Sequence, residues 1–87
     1  QRRQALVLKR SLDKAYGLVE SGERSAENII RQMKDLIALM PMVKIDYVSI
    51  TGTEDLKDVS VISDEALIAL AAFVGPTRLI DNIIVEV

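Results

Sequence analysis

The feature of this sequence that most restricts its fold is a run of nine apolar residues, "ALIALAAFV", at positions 66–74, which Gly75 and Pro76 close at once. The run is too short to cross a membrane, because a spanning helix needs about 18 or more such residues. Two interpretations are open from the residues alone. Ser63 can cap a helix, and alanine and leucine have high helix propensity. An apolar run that ends at a turn before a second strand-like segment is equally typical of a strand covered on both faces.

Strand patterns lie on both sides of this run. Residues 43–50, "VKIDYVSI", begin with alternating apolar and polar side chains and are rich in β-branched types. Val48 and Ile50 then place apolar groups on the other face, so we expect this strand to be covered on both sides or to carry a bulge. In residues 78–87 a period of two places Asp81 on the same face as leucine, isoleucine and valine side chains. A carboxylate in that position must keep its water or gain hydrogen-bond donors.

Two amphipathic helices are predicted ahead of the strands. Apolar side chains recur at steps of three and four residues between Ala5 and Val19. The same spacing continues from Ser25, a good capping residue, to Met40, where Pro41 ends it. A short connection that contains glycine joins the two segments, which predicts an antiparallel helical hairpin. The first helix has no capping residue ahead of it, and we therefore expect it to continue from a longer chain.

Composition limits the chemistry of this chain. Its 87 residues include no His and no Cys, which removes the commonest general base, the commonest metal ligand and the thiol nucleophile, together with any disulfide. The lack of cysteine also fits a reducing cytoplasm. One Phe, two Tyr and no Trp indicate an aliphatic core rather than a surface for stacking bases. A chain of this length forms one domain with a modest core.

The charges are divided unevenly along the chain. Residues 1–40 hold eight Lys and Arg against five Asp and Glu, whereas residues 41–87 hold three against eight, for a net charge of −2. A nucleic-acid-binding domain usually has a dense basic face and a basic overall balance. We therefore interpret the basic cluster near the start as a solvated helix face, and we predict neither a nucleic-acid partner nor a membrane partner.

Three stretches in order, "VKIDYVSI", "ALIALAAFVG" and "TRLIDN", resemble the carboxy-terminal domain of the pantothenate synthetase family, the pantoate–β-alanine ligases. The resemblance spans nearly the whole chain, because two helices precede these stretches and "IIVEV" follows them. It departs in the loop "TGTEDLKDV", where the family usually has an Asp, a Pro and a run similar to "TLEPL". The resemblance implies that residues 66–74 form a strand paired with residues 78–87. The expected fold is therefore α+β, with a two-helix hairpin packed on a three-stranded antiparallel sheet in two layers.

The same resemblance implies that the chain is part of an enzyme. Members of the family are ATP-dependent, AMP-forming ligases that use magnesium to make pantoyl adenylate, which β-alanine then attacks. Their amino-terminal Rossmann-like domain holds the nucleotide motif and a lysine, and none of these maps onto residues 1–87. We therefore expect a single domain that resembles a hinged lid, without catalytic residues, metal or cofactor, inactive alone, whose partner is that catalytic domain. The family's Ser-Arg-Asn stretch would lie immediately before Gln1.

Four residues are candidates for a role in such a domain. Arg78, Asp81 and Asn82 belong to the matching "RLIDN" stretch. We expect Asp81 and Asn82 to form a polar clasp that bonds the backbone or neighbouring side chains within the domain. In the alternative, functional interpretation, Arg78 or Lys44 reaches toward ATP phosphates when the lid closes.

Two other functions stay open at this point. A free-standing α+β module could bind protein or RNA through an exposed sheet face, although the chain has no Gly-x-x-Gly loop and no aromatic platform for RNA. Alternatively, the domain could form a homo-oligomer. That outcome is expected if an uncovered sheet face leaves Val48, Ile50 and Ile84 in water.

Overall fold

The structure, a computed structural model, describes the backbone of residues 2–87 and the side chains of residues 5–87. Gln1 and the residues expected before it lie outside the described residues. Two helices are followed by three strands that form one antiparallel sheet in chain order, and both helices pack on the same face of that sheet. The elements are α1 Arg2–Glu20, α2 Ala26–Ile37, β1 Val43–Gly52, β2 Ala66–Val74 and β3 Thr77–Val85. The predicted α+β class and its two layers are confirmed.

The apolar run of nine residues is strand β2, at the centre of the sheet. It pairs with β1 along one edge and with β3 along the other, so its backbone groups have partners on both sides. These two sets of pairing outweigh the helix propensity of its alanines and leucines, and the helical alternative with a cap at Ser63 is wrong. Alternate side chains of β2 point at the helices and are buried: Ala66, Ile68, Leu70, Ala72 and Val74.

The hairpin between β2 and β3 turns through Gly75 and Pro76. Val74 pairs with Thr77 across the turn, and Gly75 has a φ of 59°, a conformation that a residue without a side chain adopts readily. Glycine in the first position of a two-residue turn is typical of type II′, whose twist matches that of the flanking strands. Strand β3 therefore begins at Thr77, one residue before the predicted start.

A bulge in β1 decides which of its side chains face the helices. The register shifts between Ile45 and Tyr47, which leaves Asp46 as an extra residue. One extra residue reverses the alternation that follows it. Val48 and Ile50 therefore return to the helix side, where Ile50 is buried and Val48 half-buried. The bulge is confirmed, and the expectation that these two side chains are left in water is wrong.

Helix α2 begins at the predicted cap. Ser25 Oγ accepts a hydrogen bond from the Asn28 N–H at 3.2 Å. The Glu23 carboxylate accepts from the Ser25 N–H at 2.9 Å and from the Asn28 side-chain amide at 2.8 Å. These bonds, the one from Ser25 foremost, hold the pKa of Glu23 below its ordinary value of 4.5. The helix ends at Ile37, and a hydrogen-bonded turn continues to Met40, the predicted end.

The loop between β1 and β2, residues 53–65, is hydrogen-bonded to the residues at the start of α2. The Ala26 N–H donates to the Ser60 carbonyl at 3.0 Å, and the Ile62 N–H donates to the Arg24 carbonyl at 2.9 Å. The first of these bonds satisfies an amide that has no partner within the helix. The Ile62 side chain is buried in the core. Within residues 2–87, no helix combines the length and the apolar character needed to cross a membrane.

Candidate functional site

The sheet has one face without a helix over it, which we call the open face. In β2 and β3 it consists of the side chains that alternate with those under the helices, and in β1 the bulge shifts this alternation. Its members are Lys44, Tyr47, Ser49 and Thr51 from β1, Leu67, Ala69, Ala71 and Phe73 from β2, and Arg78, Ile80, Asn82 and Ile84 from β3.

Several apolar side chains on the open face are exposed. Ile80 and Ile84 are 59% and 58% exposed, and Tyr47 and Phe73 are 39% and 38% exposed. An antiparallel sheet with one face in water normally alternates apolar and polar side chains along each strand, whereas β2 is apolar on both faces. Apolar side chains that are grouped on a surface mark an interaction site, while single ones are ordinary.

A charged row lies at the hairpin end of the open face. Lys44 and Arg78 both pair with Phe73, one from each neighbouring strand, so their Cα atoms are about two strand spacings, or roughly 10 Å, apart. Arg78 Nε and Nη2 donate to one carboxylate oxygen, Asp46 Oδ2, at 3.1 and 2.9 Å. The structure thus places the two residues considered for phosphate binding on the same face and in the same row.

Asp81 and Asn82 lie in the middle of β3, at the edge of the sheet, and point to opposite faces. Asp81 shares the helix-side face with Leu79 and Ile83 but is exposed, so its carboxylate keeps its water. Its Oδ1 accepts a hydrogen bond from the Asn82 backbone N–H at 2.8 Å. The pairing across the Gly-Pro turn directs this N–H away from β2. Arg78 lies on the other face from Asp81, and the polar clasp stays a prediction.

Acidic side chains gather where β1 leads into the long loop. Thr53 Oγ1 donates to Glu65 Oε1 at 2.8 Å, beside a shallow cavity of about 270 Å³. Glu54, Asp55 and Asp64 line the same cavity. Among the described residues, no three side chains of His, Cys, Asp or Glu are placed to hold a metal ion.

Sequence reasoning expected Ile84 on an uncovered sheet face, which the structure shows, but it did not place Tyr47 or Phe73 there. The bulge moved Tyr47 to this face, and a bulge of that kind can be expected from a pattern without its position being known. Phe73 lies in the apolar run, for which the residues alone left both a helix and a strand covered on both faces open. That run is itself the signal, because a strand with one face in water normally carries polar side chains on that face.

Comparison with known proteins adds independent findings. The chain matches the family model described as pantoate-beta-alanine ligase over residues 1–84. The pantothenate synthetase of Caldicellulosiruptor saccharolyticus is 45% identical over 87 residues, which are 100% of this chain and 31% of that protein. The one from Thermoanaerobacter sp. strain X514 is 43% identical over 84 residues, which are 97% of this chain and 30% of that protein.

A solved structure agrees with these matches. The crystal structure of pantothenate synthetase from Thermus thermophilus superposes with a TM-score of 0.86 at 28% identity, and the match covers 94% of this chain and 29% of that one. This chain therefore spans about 30% of the length of the relatives it matches. Because the family model covers residues 1–84 of 87 and the fold is shared, the chain belongs to the pantoate–β-alanine ligase family.

Proposed function

We propose that this chain is the carboxy-terminal lid domain of an ATP-dependent ligase that condenses pantoate with β-alanine through pantoyl adenylate. One observation supports it most: relatives match over 97 to 100% of this chain and over 30 to 31% of their own length. A domain with so small a share of an enzyme leaves the larger part to hold the substrates. The proposal therefore assigns the chemistry to an amino-terminal Rossmann-like domain, the partner of this chain, in the cytoplasm.

The residue types of this chain are compatible with a partner domain that carries out the chemistry. Among the described residues, no three side chains of His, Cys, Asp or Glu are grouped to hold a metal ion. This proposal assigns ATP and its magnesium to the partner domain. A lid contributes by excluding water and by completing the site when it closes. This role needs a docking surface rather than catalytic groups, and we expect the isolated chain to form no pantothenate.

Arg78 and Lys44 are the candidates in this chain for contact with ATP phosphates during closure. Guanidinium and ammonium groups are common ligands of phosphate, and both side chains lie at the hairpin end of the open face. Arg78 would exchange Asp46 for a phosphate oxygen, at the loss of an exposed ion pair worth at most about 1 kcal/mol. In an active enzyme, Arg78→Ala or Lys44→Ala should raise the KM for ATP and leave that for β-alanine unchanged.

A chimeric enzyme tests the proposed function. The region of the Caldicellulosiruptor saccharolyticus enzyme that matches this chain is replaced by residues 1–87, and the formation of AMP and pantothenate is measured with pantoate, β-alanine and ATP. A graft of the matching region of the Moorella thermoacetica pantothenate synthetase, which is 45% identical to this chain over 87 residues, controls for tolerance of grafting. The recipient without the region is the negative control.

We expect both grafted enzymes to form pantothenate, and the isolated chain and the truncated recipient to form none. A folded but inactive graft of this chain beside an active control graft would contradict the proposal. Turnover by the isolated 87 residues would contradict the lid role in particular.

A further inference from the structure

We infer that Asp81 prevents strand β3 from pairing with β3 of a second copy of this chain. Its carboxylate oxygen Oδ1 accepts a hydrogen bond at 2.8 Å from the backbone N–H of Asn82, a group that an added strand would need. The inference concerns the side of β3 that faces away from β2, which we call the free edge. It does not depend on the ligase role.

The free edge carries a row of backbone groups that point out of the sheet. In the part of the chain that the structure describes, β3 pairs with β2 and with no other strand. The two-residue turn makes Val74 and Thr77 a hydrogen-bonded pair, and such pairs alternate along an antiparallel ladder. Every second residue therefore turns its N–H and C=O away from β2: Arg78, Ile80, Asn82 and Ile84. A row of this kind is a template for another chain.

The side chains of β3 make this edge favourable for pairing. Five of its nine residues are leucine, isoleucine or valine, which favour strands. All nine pair with β2 without a shift of register, and Ile80 and Ile84 are more than half exposed. Long, regular and apolar edges are predicted sites of aggregation. Asp81 is the one acidic residue of this strand, and it lies at the middle of it.

The hydrogen bond to Asp81 occupies the position that an added strand would take. Within residues 5–87, the N–H of Asn82 is the one outward N–H of β3 that has a hydrogen-bond partner. The carbonyl oxygen of an added strand would have to replace Asp81 Oδ1. The carboxylate would then lose water beside carbonyl oxygens, which is unfavourable for an ionised group. Asp81 therefore opposes pairing both by its hydrogen bond and by its charge.

Two copies of β3 could pair in registers that both involve these residues. A twofold axis at Asn82 would place Ile80 opposite Ile84 of the second copy, and β-branched pairs of this kind stabilise antiparallel strands. In that register the Asn82 N–H would donate to the Asn82 carbonyl of the second copy. An axis at Asp81 would place the two carboxylates opposite each other, and like charges destabilise such a pair. Asp81 thus disfavours either register.

The opposite edge of the sheet is protected by other means. The Val59 N–H donates to the Ile50 carbonyl at 3.1 Å, and the Gly52 N–H donates to the Lys57 carbonyl at 2.9 Å. The long loop therefore covers one end of β1, and the bulge at Asp46 interrupts the regular row of backbone groups nearer the other end. Strand β3 has neither a bulge nor a covering loop among the described residues.

Substitutions that expose or remove the Asn82 N–H test the inference. Asp81→Val removes the acceptor and the charge. Asp13→Val, on the exposed surface of α1, is the matched control, because it makes the same change of side chain away from any strand. The double variant Asp81→Val with Asn82→Pro removes the N–H itself, and an edge strand tolerates proline where the N–H points outward. Sedimentation equilibrium over a range of concentrations measures association, and thermal melting checks that each variant is folded.

We expect Asp81→Val to form dimers with a dissociation constant at least about tenfold lower than that of the unmodified chain, because its free edge is no longer blocked. Asp13→Val and the double variant should both associate as the unmodified chain does. At low concentration, the melting temperature of Asp81→Val should not fall, because valine favours a strand.

Three results would overturn the inference. The first is equal association of Asp81→Val and the unmodified chain. The second is equal association of Asp81→Val and Asp13→Val, since apolar surface or net charge would then be the cause. The third is a lower melting temperature of Asp81→Val without association, which would make Asp81 a clasp that only stabilises its own domain.

The double variant identifies the group that is used. Persistent association of the folded double variant would contradict pairing through the Asn82 N–H. If the double variant does not fold, amide hydrogen exchange of the Asp81→Val dimer decides instead. Its Ile80, Asn82 and Ile84 amides should exchange at least about tenfold more slowly than in the monomer, because pairing protects them. Unchanged exchange at these amides would refute the inference.

Discussion

The two faces of the sheet are formed by the same three strands and have opposite surroundings. On the helix side, Ile68 and Leu70 are fully buried among the side chains of α1 and α2. On the open face, Ile80 and Ile84 keep more than half of their exposure. Apolar character alone therefore does not identify a core. The helices determine which apolar face becomes the core, and the other face remains available to a partner.

Truncation of an apolar side chain should lower stability more on the helix side of the sheet than on the open face. Leu70→Ala removes packed methyl groups from the buried face and should lower the free energy of unfolding of the isolated chain by about 2–5 kcal/mol. Ile84→Ala leaves no cavity and should lower it by less than about 1 kcal/mol. Urea unfolding measures both changes. A loss of about 2 kcal/mol or more for Ile84→Ala would mean that the open face is already covered in the isolated chain.

Substitution of Gly75 in the hairpin should have the next largest effect on the free energy of unfolding, because both faces of the sheet depend on the pairing of β2 with β3. An added methyl group meets no atom within 4 Å at Gly75 or at Gly17, so backbone conformation alone determines the result. Gly75→Ala should lower the free energy of unfolding by about 1–2 kcal/mol, since its φ is positive. Gly17→Ala, inside α1, should raise it by about 0.5–1 kcal/mol. The same sign for both changes would contradict this explanation.

Much of the covered face could be predicted from the sequence, because local rules specify it. Ser25 begins a helix by the capping chemistry expected of it, and Gly75 with Pro76 forms the expected turn. The end of α2 was less predictable. Pro41 prevents the helix from passing Met40, but nothing local indicates that the regular helix stops earlier, at Ile37.

The open face was harder to predict, because its contacts join distant parts of the chain. Asp46 and Arg78 are 32 residues apart in the sequence. Their strands lie on opposite sides of β2, and their side chains meet across it because the bulge redirects Asp46. The position of that bulge depends on how β1 fits β2 and the helices together. The change of pattern at Val48 predicted either cover on both sides or a bulge, whereas the faces of Tyr47 and Ile50 required the register itself.

The ion pair between Asp46 and Arg78 should contribute less to stability than these substitutions. Asp46→Asn, Arg78→Gln and the double variant form a mutant cycle in the isolated chain. We expect a coupling of about 0.2–1 kcal/mol, because both side chains are well exposed. A coupling of about 3 kcal/mol already in the isolated chain would indicate that this end of the open face is buried.

Acidification gives the smallest effect and concerns the helix layer. The folded pKa of Glu23 lies below 4.5, so its carboxylate stabilises the fold fully above about pH 4.5, and this stabilisation is lost as the pH falls through the folded value. The difference in free energy of unfolding between the unmodified chain and Glu23→Gln should therefore shrink below about pH 4.5. The difference for Ile84→Ala should not depend on pH. A Glu23→Gln difference that grows on acidification would contradict the hydrogen bonds that Glu23 accepts from Ser25 and Asn28.

The unequal connections of β2 have a consequence for the order of folding. Two residues join it to β3, whereas residues 53–65 separate it from β1. Short loops close faster and lose less chain entropy than long ones. We expect the hairpin to form early and to serve as a template. The first strand then joins last, when the helices are near enough to select its shifted register, so a slow joining step would expose the unpaired edge of β2 to other chains.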